Sequence, residues 1–184
     1  MRPSVLRRFA LGVLAGAALS AQAAEPSAWC DALFPVDDIA AVIGADRAAG
    51  IARRASGVVP EDDRRCSRIY SIGDDRFSDE LVFMVSPARD AAGAVATVDR
   101  MARDTGVRRF GLSRPEGIGA SAVHFRQPDP LASHRMEFNV SFALGNRVVE
   151  LRYFSVDDAK RNKFLQASSE LEAIARRIAE RGLP

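Results

Sequence analysis

Residues Met136, Phe138, Val140, Phe142 and Leu144 alternate without error against Glu137, Asn139, Ser141 and Ala143. No other stretch constrains the fold as tightly. A period of two puts the five apolar side chains on one face of a strand and the remaining four on the other. Gly145-Asn146 follows as a two-residue turn, and Val149, Leu151 and Tyr153 alternate beyond it. A tight hairpin pairs Leu144 with Arg147. Phe142 then faces Val149, Val140 faces Leu151 and Phe138 faces Tyr153. A slip of one residue would turn this face to water, so the pattern specifies the register.

Other elements follow weaker signals. Pro35 to Ile43 is predicted as a short helix, with Asp37 and Asp38 at its positive end and Gly44 as its stop. Ala45 to Asp63 lacks periodicity and is predicted as a loop with room for one short strand. Arg65 to Ile72 alternates, and Leu81 to Val85 is a continuous apolar run; both are predicted strands. Ser86-Pro87 is read as the cap and first residue of a helix with Val95, Val98 and Met101/Ala102 on its buried stripe, ending at Gly106. Val107 to Arg114 is a linker or edge strand. Ser121 to Arg126 is a strand, and Gln127 to Ser133 is a loop carrying Pro128 and Pro130.

A final helix is predicted from Asp157 or Ala159 to Arg181. Phe164, Leu171, Ile174 and Ile178 line its face, Glu172 and Arg176 form an i,i+4 pair, and Gly182 is its cap. Antiparallel strands punctuated by helices imply an α+β domain. The expected architecture is a single antiparallel sheet of about five strands, its apolar face packed by two long helices, plus a short N-terminal helix. A hairpin followed by a helix occurs twice, with no repeat at the level of residues.

The first 23 residues read as an address. Arg2, Arg7 and Arg8 precede the uncharged run Phe9 to Leu19, and Ala21-Gln22-Ala23 has the small–x–small pattern that signal peptidase accepts. The run is too short to cross a bilayer, and no later segment approaches that length. Residues 24–184 then form a single domain, periplasmic or secreted. Removing the leader takes three arginines and no acid, turning the formal charge of +2 into −1. A near-neutral chain gives no electrostatic reason to expect nucleic acid. With 47% hydrophobic and 27% charged residues, the chain has the composition of a globular protein.

Cys30 and Cys66 are the only cysteines. In an exported protein such a pair reads as a disulfide, here tying the segment before the first helix to the first strand. Their spacing is far wider than the C-x-x-C of a redox pair, and only His124 and His134 are present to help with zinc.

The remaining motifs favour structural over catalytic roles. Gly117-Ile118-Gly119-Ala120-Ser121-Ala122 matches G-x-G-x-x-A, but a strand rather than a helix is predicted after it, so the glycines read as a turn and no cofactor is expected. His124 faces away from Val123 and Phe125, and His134 sits beside a proline-containing loop. Both read as solvated or hydrogen-bonded structural residues. Asp74, Asp75, Asp79 and Glu80 cluster near a turn without the EF-hand pattern and read as a solubilising tip; no metal is expected. All but two of the 26 basic residues are arginine. Arg53, Arg54, Arg64, Arg65 and Arg68 form either an anion-facing patch or, with Asp62, Asp63, Asp74 and Asp75, a mixed solvated face; the mixed face is the preferred reading.

Cys30, Ile43-Gly44, Cys66, Gly117-Ile118-Gly119, Gly145-Asn146 and the helix from Leu171 to Arg181 together resemble small exported bacterial domains of unknown function, many of them actinobacterial lipoproteins. That resemblance implies an exported α+β domain with one disulfide and carries no activity or site residue. The leader has no lipid-attachment cysteine, which departs from many such lipoproteins. The reading that follows is an exported, non-enzymatic binding protein of the cell envelope or periplasm, with a protein partner or small ligand, in one version an inhibitor or immunity-type protein. The alternatives are a periplasmic hydrolase using His124 or His134 and a carrier of an apolar small molecule.

Overall fold

The computed structural model describes residues 28–34, 36–54, 64–72, 79–104, 109–129, 131, 135–156, 165 and 168–182. The leader expected over residues 1–23 lies outside them, as do Asp62, Asp63, Asp74, Asp75 and His134.

Three short helices open the described chain: α1 (Ala28–Leu33), α2 (Val36–Ile43) and α3 (Ala45–Ala48). Strands β1 (Ile51–Arg54), β2 (Cys66–Ile72) and β3 (Glu80–Pro87) lead into helix α4 (Ala91–Arg103). Strands β4 (Phe110–Ser113), β5 (Ala122–Pro128), β6 (Arg135–Leu144) and β7 (Arg147–Val156) precede helix α5 (Ser168–Arg181). All seven strands join one antiparallel sheet in the order β1-β2-β3-β7-β6-β5-β4. The sheet therefore has seven strands rather than about five. The added strands are four-residue pieces at the two edges, β1 and β4, where few ladder bonds reinforce a pattern.

The β6–β7 hairpin has the register its alternation specifies: Leu144 opposite Arg147, Phe142 opposite Val149, Val140 opposite Leu151 and Phe138 opposite Tyr153. These apolar side chains join Leu81, Phe83, Val85 and Tyr70 on one sheet face. Leu33 of α1, Ile39 and Ile43 of α2, and Leu171, Ile174, Ala175 and Ile178 of α5 cover that face.

Helix α4 lies on the opposite face. Its Ala94 and Val98 pack against Val123, Phe125, Ala143 and Val148. The two long helices thus sandwich the sheet instead of sharing one face. Helical periodicity identifies the buried stripe of each helix but carries no information about which side of a sheet receives it. The two hairpin–helix units are therefore not related by a two-fold axis. A two-fold axis relating antiparallel neighbours β3 and β7 runs normal to the sheet and would leave both helices on one face.

Two helix starts differ from expectation. Ser86 and Pro87 continue β3, paired with Val148 and Arg147. Helix α4 begins only at Asp90, whose carboxylate accepts a hydrogen bond from the Gly93 backbone N–H at 2.7 Å. The strand persists while β7 offers partners, and the Asp90 cap then sets the start. Leu165, expected inside the last helix, is non-helical and buried, bonded through its backbone to the Tyr153 hydroxyl, so α5 starts later. Phe164 lies outside the described residues.

Cys30 and Cys66 form a disulfide with a Cα–Cα distance of 6.1 Å. Cys30 sits within α1, which the sequence reading missed, and Cys66 opens β2, the second strand. Next to the bridge, Asp31 accepts a hydrogen bond at 2.7 Å from the fully buried Arg68 and lies 3.1 Å from Arg53. Covalent and ionic links therefore hold the same helix to the same strand.

Candidate functional site

On the α4 side of the sheet, alternation places Glu137, Asn139 and Ser141 of β6 beside Glu150 and Arg152 of β7, with Phe125 and Gln127 of β5 on the other flank. The apolar stripe of α4 covers one end of this face. Beyond it lies a cleft of about 150 Å³, lined by these side chains together with Met101 of α4 and Arg109. That volume is room for about five waters.

The floor is tightly bonded. Arg152 donates to both carboxylate oxygens of Glu137, Nε at 2.6 Å and a terminal nitrogen at 3.0 Å. Gln127 Nε2 donates to Glu137 at 2.9 Å, and the Ser141 hydroxyl donates to Asn139 Oδ1 at 2.7 Å. Glu137, Asn139 and Ser141 are all buried. Burial opposes ionisation of Glu137, but Arg152, Gln127 and Asn139 together hold its carboxyl below the usual carboxylate range. The same contact with Glu137 raises the Arg152 guanidinium.

Glu150 behaves oppositely. Burial pushes its carboxyl up, the nearby Arg152 lowers it less, and the Glu137 charge adds to the rise. Among the described residues no donor hydrogen-bonds to it. The Arg109 guanidinium lies 4.2 Å from the Phe125 ring centroid and donates to the Met101 and Asp104 carbonyls, while its Nε is buried without a partner. Gln127 Oε1 is likewise buried without a donor. Two carboxyls with opposed shifts often mark an acid–base pair. Here the ionised one is locked by a two-pronged arginine, which leaves Glu150 as the carboxyl of the arrangement without a protein donor. The cleft's unpartnered polar groups are the Glu150 carboxyl and, shielded from solvent, Gln127 Oε1 and Arg109 Nε, with apolar walls at Phe125 and Met101.

The residues singled out from sequence go elsewhere. His124 is buried on the other face, under α5, with Nδ1 2.5 Å from Glu172 Oε1. Sequence spacing pairs Glu172 with Arg176, but Arg176 donates instead to the Glu116 carbonyl at 3.3 Å. Asp79 is buried and accepts from the Tyr153 hydroxyl, whose titration is pushed up by burial and then by that carboxylate. Glu80 accepts from Arg135 at 2.9 Å and pairs with Arg54 at 3.5 Å. These two acids are thus bonded within the fold and do not form a solvated tip. Arg53, Arg54 and Arg68 are likewise neutralised by Asp31 and Glu80. Ile118 is buried, and Gly117-Ile118-Gly119 forms a turn that leads into β5. Among the described residues no group of three or more His, Cys, Asp or Glu is placed to hold a metal ion.

Sequence reasoning passed over Glu137, Asn139, Ser141, Glu150 and Arg152 as the outward side of a half-buried hairpin. One signal was present. Glu137 and Arg152 are oppositely charged and fall on the same face at the specified register, diagonal to each other.

No family model and no curated protein matches the sequence. Among solved structures, the crystal structure of the extracellular domain of PknH from Mycobacterium tuberculosis is similar to this chain. Its TM-score is 0.56 at 11% identity, with 85% of this chain and 97% of that one covered. At this identity the likeness concerns the fold alone: a mixed α/β domain on one antiparallel sheet. No helix among the described residues is long and apolar enough to cross a membrane.

Proposed function

We propose that this chain is an exported, non-enzymatic binding protein of the cell envelope or periplasm, and that the cleft beside α4 takes a small molecule rich in hydrogen-bond donors, such as an amine or a polyol. One observation carries the reading. Glu150 sits without a protein donor in a cleft where Glu137, Asn139, Ser141 and Arg152 are bonded to one another or to Gln127, and where Gln127 Oε1 and Arg109 Nε also lack partners. The Glu150 side chain is half-buried, enough to disfavour the charge, and a donor-bearing ligand would supply the partner that the fold does not. The leader-like N-terminus, the disulfide and the likeness to an extracellular domain support export.

The test is a thermal-shift titration of the disulfide-bonded protein with ethanolamine, putrescine and glycerol. A saturable rise in midpoint with at least one of them, absent in Glu150→Leu, is expected. Failure of all three to move the wild-type midpoint would remove the assignment. N-terminal sequencing of the exported protein is expected to begin at Ala24; recovery of an intact leader would overturn the proposed cleavage.

The hydrolase reading lacks a comparable observation. The His124–Glu172 contact bridges β5 and α5, and none of the residues lining the cleft belongs to it.

A further inference from the structure

A second concave site, lined by none of the residues of the cleft above, lies where the end of β3 meets the β6–β7 turn. It measures about 500 Å³ and is lined by Arg64, Pro87, Ala88, Arg89, Asn146 and Arg147. The wall is fixed by backbone: the Ala88 N–H donates to the Asn146 carbonyl at 2.8 Å, and Pro87 pairs with Arg147 across the sheet.

Arg147 is the unusual member. Most arginines described here lie within ion-pair distance of a carboxylate. Arg147 has none among the described residues. Its guanidinium carbon lies over the Trp29 ring, 4.5 Å from the centroid, and one terminal nitrogen, Nη1, is buried with no acceptor. Trp29 immediately precedes the disulfide cysteine Cys30, whose bridge ties α1 to β2, and it packs, partly buried, against the core. A planar guanidinium laid on an aromatic face keeps its hydrogen-bonding edge in a fixed orientation. Arg64 and Arg89 add positive charge at the rim. Arg89 Nε is engaged by Asp90 at 3.0 Å, and that carboxylate also caps α4. The lining itself contains three guanidinium groups and no carboxylate.

We infer that this cleft binds the oxyanion of a small ligand, with Arg147 supplying the donor fork and Arg64 and Arg89 lining the rim. The shared chemistry is a phosphate or carboxylate group, whose paired oxygens match a guanidinium edge.

Trp29 is the single tryptophan of the chain and lies against Arg147, so its emission reports on the site directly. The experiment titrates the disulfide-bonded protein with inorganic phosphate and, in a separate arm, with acetate, each against potassium chloride at matched ionic strength. Emission is followed in parallel with calorimetry. A saturable response above the chloride control is expected, weakened at least about tenfold in Arg147→Gln and several-fold in Arg64→Gln/Arg89→Gln. Response to phosphate alone assigns a phosphoryl ligand, and response to acetate assigns a carboxylate. A response that chloride reproduces, or one unchanged in a folded Arg147→Gln protein, overturns the proposal. Should Arg147→Gln fail to fold, an unchanged response in the rim double variant overturns it equally.

Discussion

Glu137 of β6 accepts both prongs of the Arg152 guanidinium from the diagonal position on β7; the residue directly opposite Glu137 is Phe154. The carboxylate is almost fully buried, whereas Arg152 keeps partial access to solvent. Removing Arg152 leaves a buried, unpaired charge, while removing both partners leaves only a repacked surface. Arg152→Met is therefore expected to cost about 3–5 kcal/mol, and Glu137→Leu/Arg152→Met far less than the sum of the single changes. Urea denaturation of the four proteins closes the cycle. Additive losses would show that the pair is not coupled.

Glu150 makes the opposite prediction with pH. Its carboxyl titrates above the ordinary value of 4.5 because burial disfavours the charge. Its contribution to stability is full below the unfolded-state value and is lost as pH rises through the raised folded one. Glu137, held below the ordinary range, contributes above it and loses that contribution as pH falls. Glu150→Gln is neutral at every pH. The variant is expected to melt a few degrees above the wild type at pH 7–8, the difference closing as the buffer is taken below about 4.5. A constant difference across that range would show that Glu150 does not titrate within it.

How far these features were legible in the sequence depends on their range. The β6–β7 register follows from a period-two pattern and a two-residue turn, both local, and every expected pair is present. Helix α1 is only six residues long and shows too little of a turn-to-turn pattern to register, although Cys30 lies in it. The cleft was hidden for another reason. Polar residues on the outward side of a strand look alike whether water or a paired arginine receives them. What sets Glu137 apart is a partner 15 residues away, an amide from β5 and the end of helix α4 placed on the same face of the sheet. Sequence periodicity reports none of these.

The disulfide closes a separation of 36 residues, and both cysteines are buried. On the chain-entropy account, Cys30→Ser/Cys66→Ser is expected to lose about 4 kcal/mol. Denaturant melts of the oxidised protein and the double variant measure this. The intact protein is expected to show no free thiol to a labelling reagent, before or after unfolding. Two reactive thiols in unfolded, oxidised material would contradict the bond.

Two glycines with similar backbone angles should respond very differently to alanine. Gly119 has φ +59°, and a Cβ built there falls 2.2 Å from the carbonyl oxygen of Ala143. That carbonyl also accepts the Ala120 N–H at 2.9 Å, so it cannot retreat without breaking the junction of the turn with β6. Gly182 has φ +78° and open space around the missing Cβ. Gly182→Ala carries only the left-handed backbone cost, about 1 kcal/mol. Gly119→Ala adds a backbone collision and is expected to cost about 3 kcal/mol or more. Paired chemical denaturation curves separate the two. Equal losses would mean that the turn before β5 can shift away from β6, and that the close approach at Ala143 does not hold that edge of the sheet.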